Sequence, residues 1–188
     1  YENSFHGFLL HGVTGSGKTE VYLSITEWLL KKGKQVLVLV PEIGLTPQMI
    51  VRFEERIKDK VVAVHSQLNE TQKQDAYLMA KSGEAKVILG TRSAIFTPIP
   101  KLGLVIVDEE HDGSFKQQSN FRYSARDLSF MRAKLANIPL ILGTATPSLE
   151  TLKNVADQKL TRLVLRSRPG GAILPEVNLI DMRSQASE

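Results

Sequence analysis

The chain has 188 residues, with 24 lysines and arginines against 20 aspartates and glutamates, giving a formal net charge of +4. This length and a hydrophobic content of 42% are typical of one globular domain, and a charge this small is weak evidence for a polyanionic partner. With no cysteine, disulfides, cysteine–zinc sites, iron–sulfur clusters and thiol nucleophiles are excluded. The longest apolar run, residues 36–40, is too short to cross a membrane, so we expect a soluble, cytoplasmic protein.

Short aliphatic runs along the chain predict strands. They lie at residues 8–10, 36–40, 61–64, 87–89, 104–107, 140–142 and 163–165. Segments with helical hydrophobic spacing or helix-capping signals predict helices between several of the strands, at residues 18–32, 47–57, 69–82, 124–135 and 148–155. Most strand runs are apolar on consecutive residues, as in strands covered on both faces. The alternation predicts an α/β fold with a mostly parallel sheet, helices on both faces, and ligands at the carboxyl ends of the strands.

The end of the chain differs in composition from the rest. Pro169 and the two glycines after it mark a break, and the last residues are polar. We therefore predict one domain over residues 1–168, and a linker or the truncated start of another domain over residues 169–188.

The segment 12–19 matches the phosphate-binding pattern G-x-x-x-x-G-K-[ST] between a predicted strand and a predicted helix. Glycines let successive backbone N–H groups curl around a phosphate, and the helix N-terminus adds partial positive charge. Lys18 is expected to reach the β- and γ-phosphates, and the Thr19 hydroxyl to coordinate Mg²⁺. The predicted nucleotide-binding residues are Gly12, Val13, Thr14, Gly15, Ser16, Gly17, Lys18 and Thr19.

An acidic group, residues 108–111, follows the apolar run 104–107. In a P-loop protein Asp108 is expected to hold Mg²⁺, and Glu109 to orient and polarise the attacking water. The alternative is a solvated acidic loop after a buried strand. His111 is either a local hydrogen-bonding residue or a group that couples hydrolysis to a second ligand.

These motifs resemble those of superfamily 2 helicases, which have a RecA-like P-loop NTPase fold. The segment 12–19, called the phosphate cradle below, resembles motif I, residues 108–111 resemble motif II, and residues 142–147 resemble motif III. The resemblance to the primosomal protein N′ family, the bacterial replication-restart DNA helicases, is more specific. The segments that carry it are 12–22, 40–48, 89–94, 115–118 and 121–128.

The resemblance implies the first RecA-like lobe of a helicase that couples ATP hydrolysis, with Mg²⁺, to 3′-to-5′ movement on single-stranded DNA. It also implies roles in primosome assembly at stalled or branched forks, with primosome proteins and single-stranded DNA-binding protein as partners. A second lobe is expected to supply arginine fingers, and the family's zinc to lie outside this chain. The glutamine that reads adenine is expected upstream of Tyr1, so the sequence leaves base specificity open. We therefore expect the lobe alone to hydrolyse little ATP and to bind DNA weakly.

Two segments after predicted strands carry small and hydroxyl residues suited to phosphate contacts, and the resemblance assigns both to the DNA backbone. The residues are Gly44, Thr46, Thr91, Arg92 and Ser93. Thr144 and Thr146 resemble a relay between the γ-phosphate and DNA. From the residues alone, the first two segments are better read as well-capped turns, and threonine pairs like Thr144 and Thr146 are common at strand ends.

The segment 114–123 interleaves aromatic and basic residues without a helical or strand period. Rings in such a loop stack on bases, and cations neutralise phosphate. The alternative is that the rings anchor the loop to the domain. The candidate DNA contacts are Phe115, Lys116, Phe121, Arg122 and Tyr123.

Other functions remain open at this stage. A P-loop kinase or GTPase is disfavoured because no Asn-Lys-x-Asp guanine signature occurs. An RNA helicase lobe and a non-hydrolysing nucleotide-binding interaction module are further alternatives, since the preference for DNA rests on the resemblance alone.

Overall fold

The computed structural model of the chain describes residues 5–119 and 121–167. The predicted domain boundary and the segment 169–188 lie outside the described residues. None of the helices in the described ranges is long and apolar enough to span a membrane.

The described residues form nine strands and five α-helices. The strands are β1 (Gly7–Gly12), β2 (Gln35–Leu39), β3 (Lys60–Val64), β4 (Ala85–Gly90), β5 (Leu102–Asp108), β6 (Lys116–Gln117), β7 (Tyr123–Ser124), β8 (Leu140–Thr144) and β9 (Thr161–Leu165). The α-helices are α1 (Lys18–Lys31), α2 (Pro47–Arg56), α3 (Glu70–Ser82), α4 (Ala125–Leu135) and α5 (Leu149–Ala156).

Seven strands form one sheet in the order β3-β4-β2-β5-β8-β1-β9, and every neighbouring pair is parallel. Parallel neighbours need long crossovers, which the helices provide. The arrangement confirms the predicted α/β fold. It also aligns the carboxyl ends of β1, β8 and β5 at one edge, with β8 between the other two.

The sheet has a hydrophobic core on each face. In β2, Leu37 and Leu39 belong to one core while Val36 and Val38 belong to the other, and all four are fully buried. Buried residues of α1 and α2 complete the second core, and those of α3 and α4 complete the first. Coverage on both faces explains why the strand sequences are apolar on consecutive residues.

Capping side chains mark where α2 and α3 begin. The Thr46 hydroxyl accepts from Met49 N at 3.2 Å, with Pro47 in the first turn of α2. Asn69 and Gln72 form a reciprocal capping box at the start of α3. Each cap satisfies N–H groups that the first helical turn leaves unpaired.

The structure corrects two expectations. The segment 114–123 is not wholly irregular, because a 3-10 turn (Gly113–Phe115) leads into an antiparallel pair of β6 and β7. Among the described residues, β9 lacks the cover on both faces that its apolar sequence suggests: it lies at one end of the strand order, and its Leu163 and Val164 are 46% and 48% exposed.

Candidate nucleotide and nucleic-acid site

The phosphate-binding motif forms the turn between β1 and α1. Gly15 and Gly17 have φ angles of 78° and 95°, in the left-handed region that glycine adopts without strain. Gly17 precedes α1 without a side-chain cap, so no side chain competes for the first N–H groups of the helix. This is the backbone arrangement of an anion site at a helix N-terminus.

Two side chains of the motif are suited to an oxygen-rich ligand. Lys18 is only 8% exposed, and its Nζ donates to the Gly12 carbonyl at 2.9 Å. The Ser16 hydroxyl is buried and has no hydrogen-bond partner within the described residues. Because a buried hydroxyl is normally paired, this orphan fits a phosphate group with acceptor oxygens.

Asp108 and Glu109, called the acidic pair below, lie beside the phosphate cradle. Glu109 Oε1 is 3.5 Å from Lys18 Nζ, so the ends of β1 and β5 meet across β8. Glu109 has a φ of 46°, a left-handed backbone that costs a non-glycine residue free energy and is concentrated at functional sites. The described residues contain no cluster of three His, Asp or Glu side chains able to hold a metal by themselves.

Asp108 ends β5 with its carboxylate held by Tyr22, whose hydroxyl donates to Oδ1 at 2.8 Å. Burial raises the pKa of Asp108 above its ordinary value, and the Tyr22 hydrogen bond partly opposes the rise. Burial, reinforced by the charge of Asp108, raises the pKa of Tyr22 well above its ordinary value. Tyr22 therefore remains a hydrogen-bond donor at neutral pH.

The three predicted coupling residues are in contact. His111 Nδ1 lies 2.8 Å from Thr144 Oγ1, and His111 Nε2 lies 3.3 Å from Thr146 Oγ1. Thr146 N donates to Thr144 Oγ1 at 3.0 Å, which ties the two threonines together. His111 Nδ1 is also 3.7 Å from Glu109 Oε2, which joins the group to the acidic pair.

Sequence reasoning missed a buried network beside the acidic pair. The Glu110 carboxylate is fully buried and accepts from Arg126 Nη1 at 3.3 Å and from Thr151 Oγ1 at 2.9 Å. Ser148 donates to it from both its backbone N, at 2.8 Å, and its hydroxyl. The only sequence signal for this network was Glu110, a second glutamate directly after Glu109 to which no role was assigned.

The predicted DNA-contacting turns lie at the same edge of the sheet. A cleft of about 330 Å³ beside the acidic pair is lined by Gly44, Asp108, Glu109 and His111, among others. Gly44 N donates to the Pro41 carbonyl at 2.9 Å, which closes a turn.

Several hydroxyl and cationic groups of these turns are already used within the fold. The Thr46 hydroxyl caps α2. Thr91 is 4% exposed and precedes the 3-10 turn Arg92–Phe96 without a side-chain capping hydrogen bond. Arg92 Nη1 donates to the carbonyls of Ser114 and Lys116, at 3.3 and 3.2 Å. These contacts fit the capped-turn alternative, and the side chain of Ser93 remains exposed.

The three aromatic rings of the segment 114–123 have different environments. Phe115 is 2% exposed within the core, so it cannot stack on a base in this conformation, and the expectation for this ring is corrected. Tyr123 is half-buried and packs edge-on against Phe96, with ring centroids 5.0 Å apart. Phe121 is 72% exposed. Lys116 and Arg122, the two cations of the same segment, are also exposed.

Comparison with known proteins defines the class of protein. The family model for DEAD/DEAH box helicases matches residues 3–155, and the chain belongs to this family. Membership decides against the kinase and GTPase alternatives and implies use of ATP.

More specifically, the chain is similar to replication restart protein PriA of several bacteria, which confirms the resemblance to the replication-restart family. It is 49% identical to the Haemophilus influenzae protein over 185 residues and 51% identical to the Synechocystis protein over 189 residues. These matches cover 98% of this chain but 25% and 23% of the two relatives, so the chain spans about a quarter of their length.

Solved structures agree on the fold. RecG bound to a three-way DNA junction matches 87% of this chain and 21% of RecG, with a TM-score of 0.56 and 20% identity. The Pyrococcus furiosus Hef helicase domain matches 87% of this chain and 35% of that chain, with a TM-score of 0.59 and 23% identity. At these identities the likeness establishes the RecA-like helicase fold alone.

Proposed function

We propose that this chain is the ATP-binding motor lobe of an ATP-dependent helicase that moves 3′ to 5′ on DNA and acts in replication restart at stalled forks. The observation that carries the proposal is the 3.5 Å between Lys18 Nζ and Glu109 Oε1, because it joins the cradle and the acidic pair in one site. The family membership supports ATP use, and the replication-restart relatives support fork DNA as the substrate.

In this proposal the cradle binds the nucleotide phosphates. The uncapped N–H groups at the start of α1 and the unpaired Ser16 hydroxyl donate to phosphate oxygens. Lys18 exchanges the Gly12 carbonyl for the β- and γ-phosphate oxygens.

Thr19 and Asp108 are the residues that would hold Mg²⁺, which supplies charge neutralisation on the phosphates when bound. Glu109 orients and polarises the attacking water, a role worth about 10²–10⁴-fold in rate. Its carboxylate is half-buried and positioned by Lys18 on one side and His111 on the other.

The same edge would connect hydrolysis to DNA. His111 contacts Thr144, Thr146 and Glu109. The turn after β2 lines the same cleft as Glu109 and His111, and the turns after β2 and β4 would contact the DNA backbone. Phe121, Lys116 and Arg122 are the exposed groups of the aromatic segment that would reach DNA. A second lobe and the other primosome proteins are the proposed partners.

Replacing the cradle lysine tests nucleotide binding directly. Lys18→Ala removes the cation and its charge-assisted hydrogen bonds, each worth about 1.5–3 kcal/mol, so we expect Mg-ATP affinity to fall at least tenfold. Lys81→Ala, at an exposed position near the end of α3, is the matched control and should bind as the unaltered chain does. Titration with a fluorescent ATP analogue measures both.

Unchanged nucleotide affinity in Lys18→Ala would contradict the proposed site.

A second measurement separates the DNA-helicase proposal from the RNA-helicase alternative: fluorescence anisotropy with single-stranded DNA and with RNA of the same sequence. DNA binding that fails to respond to any nucleotide state would favour the non-hydrolysing module instead.

A further inference from the structure

Tyr22 is a core residue whose polar end reaches the candidate site. It lies on α1 four residues after Lys18, and its side chain is fully buried in the core beneath α1 and α2. Its hydroxyl donates to Asp108 Oδ1 at 2.8 Å. A phenylalanine would fill the same volume, so the packing of the core alone does not account for the hydroxyl.

Gly143 in β8 leaves the space that the hydroxyl occupies. A Cβ built at Gly143 would lie 1.6 Å from the Tyr22 oxygen, 2.8 Å from Tyr22 Cζ and 3.1 Å from Asp108 Oδ1. Gly143 is also the register partner of Asp108 across β5 and β8. Position 143 therefore requires glycine for lack of space. Residues of α1, β5 and β8 meet at the hydrogen bond between Tyr22 and Asp108.

The hydrogen bond leaves the carboxylate able to bind a cation. A carboxylate has about four acceptor positions. The Tyr22 hydroxyl donates to Oδ1, and the backbone N–H of Glu109 also favours the ionised carboxylate. Carboxylates that ligate metals are commonly held by such outer hydrogen bonds, and losing one costs about 10–100-fold in metal affinity.

We propose that Tyr22 is a positioning residue that holds the Asp108 carboxylate in the orientation required for Mg²⁺, with Gly143 leaving room for its hydroxyl. The inference rests on the proposed nucleotide site and assigns it a further residue. It predicts that the hydroxyl governs how much Mg²⁺ nucleotide binding needs, and has little effect on the phosphate cradle itself.

The test is Tyr22→Phe, which removes one oxygen and keeps the buried ring. Binding of a fluorescent ATP analogue to the chain is measured against free Mg²⁺ concentration. We expect the half-saturating Mg²⁺ concentration to rise about tenfold, with affinity restored at saturating Mg²⁺. Tyr77→Phe, at a 47% exposed tyrosine on α3, is the matched control and should leave the curve unchanged.

Gly143→Ala provides a second variant, because its methyl group displaces the phenol oxygen from Asp108. It should shift the Mg²⁺ curve in the same direction, and should add little to the shift in the Tyr22→Phe background, because both changes break the same contact. Thermal denaturation of each variant confirms that it is folded at the assay temperature.

The outcomes separate the inference from the proposed function. If the unaltered chain binds nucleotide in a Mg²⁺- and Lys18-dependent way while Tyr22→Phe gives a superimposable Mg²⁺ curve, Tyr22 is a packing residue and this inference fails alone. If the unaltered chain binds no nucleotide, the proposed site and the role of Tyr22 are both overturned.

Discussion

Asp108 ends β5 in surroundings that favour its neutral form. Burial raises the pKa of its carboxyl above the ordinary value, and the hydrogen bond from Tyr22 does not cancel the rise. Since the folded-state pKa exceeds the unfolded one, the stabilisation is fully present below the unfolded pKa and is lost as pH rises through the folded-state pKa. At neutral pH an ionised Asp108 therefore destabilises the metal-free chain, which is consistent with a site kept ready for a cation.

Asp108→Asn should raise the midpoint of thermal unfolding of the metal-free chain at pH 7, because it removes a poorly solvated charge. The gain should shrink as pH is lowered towards the ordinary carboxyl pKa, where the unaltered carboxyl takes up its proton. Circular dichroism melts from pH 8 down to the ordinary carboxyl pKa measure the trend, with Asp75→Asn, at an exposed position on α3, as the control. An equal or lower midpoint at pH 7 would contradict this account of Asp108.

The segment between β5 and α4 shows how one sequence pattern divides into two roles. Arg92 donates to the carbonyls of Ser114 and Lys116, and this holds the 3-10 turn so that Phe115 enters the core. Phe121 lies beyond β6 and remains exposed, 5.8 Å from the Tyr123 ring centroid. The ring of Phe115 therefore anchors the segment to the core, while the ring of Phe121 is exposed to solvent.

Alanine substitutions should separate these two roles. Phe115→Ala leaves a cavity in the core and should lower the free energy of unfolding by about 3–5 kcal/mol. Phe121→Ala should leave stability unchanged and weaken single-stranded DNA binding by about 1–3 kcal/mol, the usual contribution of base stacking. Urea denaturation and fluorescence anisotropy measure the two quantities.

Trp28→Ala removes an exposed ring from the outer face of α1 and is the control for the DNA measurement. Equal DNA affinity for Phe121→Ala and Trp28→Ala would remove Phe121 from the proposed DNA surface, leaving the segment with an anchoring role only.

The helices and strands were predictable because their signals are local. Thr46 and Pro47 mark the start of α2, and Gly33 takes a φ of 70° just after the end of α1, as a helix-stop glycine does. The paired apolar residues of β2 indicate burial on both faces. The exposure of β9 was not predictable, because Leu163 and Val164 read as buried until the order of strands places them at the edge.

The site was predictable where its residues belong to contiguous motifs, and not where contacts join distant parts of the chain. Glu110 finds its partners 16, 38 and 41 positions away, in Arg126, Ser148 and Thr151. The contact of Tyr22 with Asp108 spans 86 positions. Spacing within a motif carries no information about such pairs, which depend on how α1, α4 and α5 pack around β5.

The strand order places the phosphate-binding turn and Asp108 and Glu109 at the carboxyl ends of β1 and β5, on either side of β8, where the described residues leave Glu109 partly exposed. Glu109 is 35% exposed in the described structure, and the cleft beside it opens between the turn after β2 and the acidic pair. A transition state for phosphoryl transfer needs further positive charge and exclusion of water. Under the proposed function, a second lobe would supply both.

ATP turnover should therefore depend on a second lobe. Arginine fingers contribute about 10³–10⁵-fold to rate, so we expect a protein that contains both lobes to hydrolyse ATP at least about 10³-fold faster than this chain, with stimulation by single-stranded DNA. Glu109→Gln in the two-lobe protein should retain nucleotide binding and lose about 10²–10⁴-fold in rate. A coupled ATPase assay with and without DNA compares the three proteins at equal concentration. DNA-stimulated turnover by this chain alone at the two-lobe rate would show that the edge is catalytically complete, and normal turnover by Glu109→Gln would remove Glu109 from its proposed role.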